Sequence, residues 1–176
     1  MLSLNRQTRV NAAESTGVFY SSEMKVLIEV LEKCYTFSDV SPDTLPPDGY
    51  FIHEEKVNND LCGFVIFGKT PLTQSNWDIY WVVVDKKYQG KGIGSRLIRA
   101  VEAYILEEEG FATMRLETSS RKEYMGTRIF YIKNGFTEAG RIPDFYASGD
   151  DLVIFYKKVE PEMNKIIDRQ IEMNAN

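Results

Sequence analysis

The segment from Trp77 to Gly110, WDIYWVVVDKKYQGKGIGSRLIRAVEAYILEEEG, joins a strongly apolar stretch to a regular helical pattern. Aromatic and β-branched residues dominate WDIYWVVV, which is typical of a central strand buried on both faces. The residues after Ser95 place an apolar stripe at helical spacing, and Gly110 stands where a C-terminal cap belongs. The segment therefore predicts a strand, a glycine-rich loop and an amphipathic helix.

The loop between these two elements reads QGKGIGS from Gln89 to Ser95. Glycines let the backbone approach phosphate oxygens closely, and a helix N-terminus contributes roughly half a positive charge. Lys91 can add side-chain charge. The spacing fits neither the P-loop, G-x-x-x-x-G-K-S/T, nor the dinucleotide fingerprint, G-x-G-x-x-G. A tight structural connection is the alternative to a site for a different phosphate-bearing cofactor.

The flanking sequence predicts a mixed α/β domain. A Ser-capped pattern from Ser21 predicts a first helix, and two strand-like runs around the turn NND predict a β-hairpin over residues 50–69. The stretch ATMRLETSS predicts a strand and RKEYMGTRIFYIKNG a helix. FTEAGRI and DLVIFYKK predict the last two strands, joined by a turn-rich PDFYASGD. We predict one domain over residues 1–176, with a core at about 21–159 and a polar tail over 160–176.

Composition limits the compartment and the partners that we expect. Twenty-one Lys and Arg residues against twenty-six Asp and Glu residues give a net charge of −5, which provides no general attraction to nucleic acid or anionic membranes. Cys34 and Cys62 form no disulfide framework, and no Cys/His cluster indicates a metal. The N-terminus lacks the apolar region of a signal peptide. We expect a cytoplasmic protein without metal, nucleic-acid or membrane partners.

Two motifs resemble those of the GNAT superfamily of N-acetyltransferases. The loop resembles the family's acetyl-CoA-binding signature, Q/R-x-x-G-x-G/A, with Gln89, Gly92 and Gly94 at the defining positions. Further along, FYIKNGF over residues 130–136 resembles the second signature, in which a Tyr precedes Gly-Phe by four residues. The resemblance covers approximately residues 50–158 and has both motifs in the family's order.

The resemblance implies a GNAT-type mixed α/β fold, in which a central, mostly antiparallel sheet with a splayed strand pair is flanked by helices. The strand that contains Val82 to Val84 would splay from the strand that contains Leu116, so that its free backbone groups can pair with the pantetheine arm of acetyl-CoA. The implied acetyl-CoA contacts are Val82, Val83, Val84, Gln89, Gly90, Lys91, Gly92, Ile93, Gly94, Ser95 and Tyr131.

The resemblance also implies direct transfer of the acetyl group to an amine. Tyr131 matches the position of the family's general acid, with simple packing as the alternative. The family's base is usually a carboxylate on or near the central strands, and its frequent glutamate aligns with Tyr80 here, which is a departure. Asp78 and Glu117 are the remaining candidates, and an ion pair is the alternative role for each.

A second departure concerns Tyr124, which stands where many family members carry an Asn that contacts the cofactor. Near the C-terminus, RIPDFYASGDD resembles a loop that closes over the acceptor in related enzymes. The substrate-side candidates on this loop are Arg141, Asp144, Phe145 and Tyr146. Ordinary turn chemistry is the alternative for this segment.

These observations predict an acetyl-CoA-dependent N-acetyltransferase that acts on the primary amine of a small molecule, and the acidic net charge suits a cationic acceptor. One alternative is a protein or peptide N-acetyltransferase. Another is a non-catalytic acyl-CoA-binding module. Dimers are frequent in the superfamily, which leaves a homodimer open.

Overall fold

The computed structural model describes residues 2–36, 39–46 and 48–161. Most of the predicted polar tail, residues 162–176, lies outside the described ranges. The helices are α1 (Leu2–Thr16), α2 (Ser21–Leu31), α3 (Ile93–Glu109) and α4 (Met125–Lys133). The strands are β1 (Cys34–Thr36), β2 (Tyr50–Val57), β3 (Asp60–Lys69), β4 (Asn76–Val84), β5 (Ala112–Ser119), β6 (Thr137–Ala147) and β7 (Asp150–Val159). None of the helices in these ranges is long and apolar enough to cross a bilayer.

The seven strands form one sheet in the order β1-β2-β3-β4-β5-β7-β6. Within this sheet β1 and β2 are parallel, as are β4 and β5, and the other neighbouring pairs are antiparallel. Helices pack on both faces. The prediction of a mixed α/β fold with a mostly antiparallel sheet flanked by helices is confirmed.

The central strands β4 and β5 separate along their length. They pair from Asn76 with Thr113 to Ile79 with Leu116, and each strand then continues without pairing to the other. On the opposite edge of β4, the register with β3 skips Tyr80. An extra residue of this kind is a β-bulge, which bends its strand and increases the local twist. The sheet therefore opens into a wedge where the two strands diverge.

Two apolar cores lie on the two faces of the sheet. One contains Trp77, Leu97 and Phe155 and packs against α3, and the other contains Leu27 and Phe64 together with residues of α1 and α2. The buried residues of α1 are Val10, Ala12 and Ala13. The packed core thus begins before residue 21, the boundary expected from the sequence, because small side chains let α1 lie close to the sheet.

The connection between the last two strands differs from the prediction. The stretch predicted as the turn-rich PDFYASGD is mostly strand, since β6 runs to Ala147 and only Ser148 and Gly149 separate it from β7. The pairing is irregular between Ile142 and Ala147, and Asp144 has a positive φ of 54°. Because β6 is an edge strand, it tolerates the proline and the irregular pairing that suggested a turn.

Candidate active site

The divergence of β4 and β5 opens a cleft of about 1130 Å³ that both strands line. From the α3 face of the sheet, the glycine loop, the first turn of α3 and part of α4 reach this cleft. From the opposite face, the segment between α1 and α2 reaches it, and the turn between β6 and β7 also contributes. The cleft therefore connects the two faces of the sheet, so that two ligands can meet between the strands.

The edge of β4 that faces the cleft carries free backbone groups. A Cβ built on Gly63 of β3 would lie only 2.5 Å from the carbonyl oxygen of Val83, so this carbonyl points towards β3. Backbone groups alternate in direction along a strand, and those of Val82 and Val84 therefore point towards the cleft. The Gln89 side chain donates a hydrogen bond to the Val84 carbonyl at 3.1 Å. An extended ligand can pair with the remaining groups as an added strand does.

The glycine loop depends on three glycines for two different reasons. Gly90 and Gly92 have positive φ angles of 73° and 75°, which favour glycine. Gly94 instead permits close packing, because a Cβ there would lie 2.9 Å from the Phe130 ring of α4. The loop thus brings the free N–H groups at the start of α3 to the cleft, where they suit a pyrophosphate.

Tyr131 is a buried residue of α4 that lines the cleft. Its ring packs near Phe130, Phe136 and Phe155, with centroid separations of 5.3, 5.7 and 6.0 Å. Burial raises the pKa of Tyr131 above its ordinary value. The hydroxyl therefore keeps its proton at neutral pH and can donate it within the cleft.

Asp78 is a buried carboxylate of β4 with both oxygens engaged. Arg115 Nε donates to its Oδ1 at 2.6 Å, and the Thr70 hydroxyl donates to its Oδ2 at 2.8 Å. The Asn76 amide in turn donates to the Thr70 hydroxyl. This geometry favours the alternative considered for Asp78, an ion pair that anchors Arg115 on β5.

Glu117 is the more accessible of the two candidate bases, with a side chain that is 40% exposed. Its Oε1 lies 3.3 Å from Nη1 of Arg115, so the anchored arginine also contacts this carboxylate. Tyr80 occupies the position of the family's frequent glutamate and lines the same cleft. Burial, followed by the charge of Asp78, raises the pKa of Tyr80 to about 12, which excludes it as a base at neutral pH.

The sequence model of the Acetyltransferase (GNAT) domain matches residues 46–138, over half of the chain. The chain belongs to the GNAT acetyltransferase family. An uncharacterized N-acetyltransferase from Methanocaldococcus jannaschii is 24% identical over 112 residues, which cover 64% of this chain and 67% of that protein. The predictions of the GNAT family and of an acetyl-CoA-dependent acyltransferase are confirmed.

Solved structures of other acetyltransferases have a similar fold. A crystal structure assigned to the GNAT acetyltransferases, from Desulfovibrio desulfuricans, has a TM-score of 0.77 and 28% identity, covering 89% of this chain and 93% of that chain. An aminoglycoside 6'-N-acetyltransferase complexed with coenzyme A has a TM-score of 0.64 at 16% identity, covering 90% and 93%. The ribosomal-protein-S18-alanine N-acetyltransferase from Escherichia coli has a TM-score of 0.65 at 17% identity, covering 91% of each chain. The last two likenesses concern the fold alone.

Most of the acetyl-CoA contacts expected for this GNAT protein lie together in the cleft. The expected residues that line it are Val82, Val84, Gln89, Gly90, Gly92, Ile93, Gly94, Ser95 and Tyr131. Val83 does not, because its side chain is buried in the core against α1 and α2. Lys91 also lies outside the lining, where its ammonium group is 5.2 Å from the centre of the Tyr88 ring.

The substrate-side candidates of this GNAT protein are more dispersed. Tyr146 lines the cleft, and its pKa is raised by burial and then by the charges of nearby carboxylates. The other three lie outside the cleft lining. Arg141 pairs with Glu138 at 2.6 Å, Asp144 accepts the Gly149 N–H at 2.6 Å, and Phe145 is exposed. Of the four candidates on β6, only Tyr146 therefore lines the cleft.

Several other lining residues were not among the predicted site residues, and four of them contact one another. Tyr20 and Glu23 come from the start of α2, and Arg121 and Tyr124 come from the connection between β5 and α4. The Tyr124 hydroxyl donates to Glu23 Oε1 at 3.0 Å. The departure from Asn drew attention to position 124. The contact with Glu23 was not predicted, because the two residues are 101 positions apart and no local pattern links them.

Proposed function

We propose that this GNAT protein transfers the acetyl group of acetyl-CoA to the primary amine of a small cationic molecule. The observation that carries the proposal is the divergence of β4 and β5 after Ile79 and Leu116. It places a free strand edge and a glycine loop beside carboxylate and tyrosine side chains in one cleft. Cofactor and acceptor groups can therefore meet there from opposite faces of the sheet.

The residues present fit acetyl-CoA. The β4 edge at Val82 and Val84 suits the amide groups of a pantetheine arm, and the start of α3 suits the pyrophosphate. Coenzyme A is bound by the aminoglycoside acetyltransferase that shares this fold. The cofactor supplies a thioester, and in the net reaction a C–N bond forms, a C–S bond breaks and one proton passes from nitrogen to sulfur.

Two side chains are assigned to this proton transfer. Glu117 accepts a proton from the acceptor nitrogen, because it is accessible and Arg115 is the one arginine that forms an ion pair with it among the described residues. Tyr131 holds the proton for the departing sulfur, since burial keeps its hydroxyl protonated. Asp78 positions Arg115, which in turn contacts Glu117.

The charge of the lining supports a cationic acceptor. Carboxylates outnumber arginines among the described lining residues, with Glu23, Asp78, Glu117, Glu123 and Asp150 against Arg115 and Arg121. Such an excess attracts an ammonium group before it loses its proton. The side of the cleft that is lined by the segment between α1 and α2 is the acceptor end in this proposal. Contacts between the start of α2 and the connection between β5 and α4 span this end, which favours a small acceptor.

A protein N-terminus is the second candidate acceptor, because the exposed edge strand β6 leads directly into the cleft at Tyr146. An exposed strand edge can pair with an extended peptide. The cytoplasm is the compartment that we propose for either acceptor, on the strength of the composition.

Acetyl-CoA binding and thiol release test these proposals in sequence. Calorimetry on the wild type and on Gly92→Trp tests the cofactor site, since the added bulk should block the loop. Release of free CoA is then followed with butylamine, 1,4-diaminobutane and a hexapeptide with a free N-terminus. Faster release with 1,4-diaminobutane supports the small cationic acceptor, and faster release with the hexapeptide supports the alternative. Binding of acetyl-CoA without release of free CoA with any of the three acceptors would identify a non-catalytic module.

A further inference from the structure

Side-chain contacts join the start of α2 to the connection between β5 and α4 across the cleft. The Tyr124 hydroxyl donates to Glu23 Oε1 at 3.0 Å. The Arg121 guanidinium lies over the Tyr20 ring, 3.8 Å from its centre. All four residues line the cleft, so these contacts form part of its wall.

The Glu23 carboxylate has two roles in this arrangement. Its Oε2 accepts the backbone N–H of Tyr20 at 2.6 Å and so caps the first turn of α2. Its Oε1 accepts the Tyr124 hydroxyl, and Arg121 Nη2 lies 3.9 Å from Oε2. Tyr124 is therefore attached to the N-terminus of α2 through the group that also holds that turn together.

Arg121 is also held in place by residues of the neighbouring strands β5 and β7. Its Nε lies 3.4 Å from Asp150 Oδ2 and donates to the Ser119 hydroxyl at 3.2 Å. The Ser119 hydroxyl donates to Asp150, and both of these residues are buried. The guanidinium thus forms a fixed surface against which the Tyr20 ring rests.

We propose that Tyr20, Glu23, Arg121 and Tyr124 form a clasp that fixes the segment between α1 and α2 over the acceptor end of the cleft. The Tyr124 hydroxyl serves this clasp and not the cofactor, although many family members place a cofactor-contacting Asn at this position. The clasp limits the bulk of the amine that reaches the space between β4 and β5. This size selection rests on the proposed function, whereas the clasp itself does not.

The burial of Tyr124 is consistent with this role. The residue is 7% exposed, and burial followed by the Glu23 charge raises the pKa of its hydroxyl. The hydroxyl therefore remains a donor to the carboxylate across the neutral range.

The test compares Tyr124→Phe and Glu23→Gln with Tyr156→Phe, a control on β7 outside the cleft lining. Hydrogen exchange of residues 17–24 is measured in the presence of acetyl-CoA, and the Kd of acetyl-CoA is measured by calorimetry. We expect about tenfold faster exchange in the two clasp variants, the size expected from losing a hydrogen bond to a charged group. We expect the Kd of acetyl-CoA to stay within about twofold, since no cofactor contact is removed.

Selection of the acceptor amine by size is measured as the ratio of kcat/KM for butylamine to kcat/KM for 2,2-diphenylethylamine. Both clasp variants should lower this ratio, and the control should not. A weaker acetyl-CoA complex with unchanged exchange would show that Tyr124 is a cofactor contact and would overturn the clasp. Exchange and ratios equal to those of the control would overturn it too. If the wild type binds acetyl-CoA but acetylates neither amine, size selection is rejected with the proposed function, and the exchange data alone decide the clasp.

Discussion

Replacing Gly94 with alanine should destabilise this protein even though alanine is the better helix former. Gly94 is the second residue of α3, and a Cβ there would lie 2.9 and 3.0 Å from two atoms of the Phe130 ring. Alanine improves helix propensity by up to about 1 kcal/mol, whereas overpacking a filled site costs about 1–3 kcal/mol. The two effects leave a net loss of roughly 0–2 kcal/mol in the free energy of unfolding.

Gly126→Ala provides a matched control for this prediction. Gly126 is the second residue of α4, and a Cβ there would meet no atom within 4 Å. Alanine at this position should therefore stabilise slightly. Urea unfolding of both variants isolates the contact with Phe130, because their difference should be about 1–3 kcal/mol in favour of Gly126→Ala. Equal stability of the two variants would refute the argument that Gly94 is required for helix packing.

Three further predictions concern the carboxylates, the buried tyrosine and a thiol. Glu117→Gln should lower kcat by about 100-fold or more with little change in stability, whereas Asp78→Asn should lose about 1–3 kcal/mol of stability because it weakens a buried hydrogen-bonded pair. Tyr131→Phe should lower kcat without weakening acetyl-CoA binding, since only the proton donor is removed. Burial raises the pKa of Cys34 to about 12 from 9.0, so the folded state retains this proton longer than the unfolded chain does. Unfolding free energy should therefore fall from about pH 9 upwards by up to about 1.4 kcal/mol per pH unit more in the wild type than in Cys34→Ala.

Each of these has a result that contradicts it. Full turnover in Glu117→Gln would remove Glu117 as the base, and unchanged stability in Asp78→Asn would show that its contacts with Arg115 and Thr70 contribute little. A large rise in the Kd of acetyl-CoA in Tyr131→Phe would indicate a binding role. Parallel pH profiles for the wild type and Cys34→Ala would mean that folding does not raise the pKa of the Cys34 thiol.

The elements with strong local signals were predicted from the sequence. The apolar stripe of α3, its cap at Gly110 and the buried character of β4 follow from residues that are close together in the chain. Helix α1 was not predicted, because Val10, Ala12 and Ala13 form only a short apolar patch in a polar segment. Strand β1 has three residues, too few for a periodic pattern.

Sequence motifs mark only part of the cleft lining. The glycine loop and Tyr131 carry family motifs, and the structure brings them into one cleft. The contacts of Asp78 with Arg115 and of Tyr124 with Glu23 join residues far apart in sequence, which no local pattern can show. The prediction of a turn near Asp144 was wrong, because turn-type residues also suit an irregular edge strand.

The extra residue in β4 has a consequence for anyone who redesigns this protein. Trp77 and Trp81 are four positions apart and would share a face in a regular strand, yet they pack into the two opposite cores. Tyr80, which the β3 register skips, makes this exchange of faces possible. Deleting Tyr80 would leave the two tryptophans three positions apart, so that regular alternation would keep them in their present cores, but it would remove the bulge that bends β4 where the cleft opens. Chain length in β4 is therefore as strict a requirement as side-chain identity, and grafting this strand into another scaffold must preserve both.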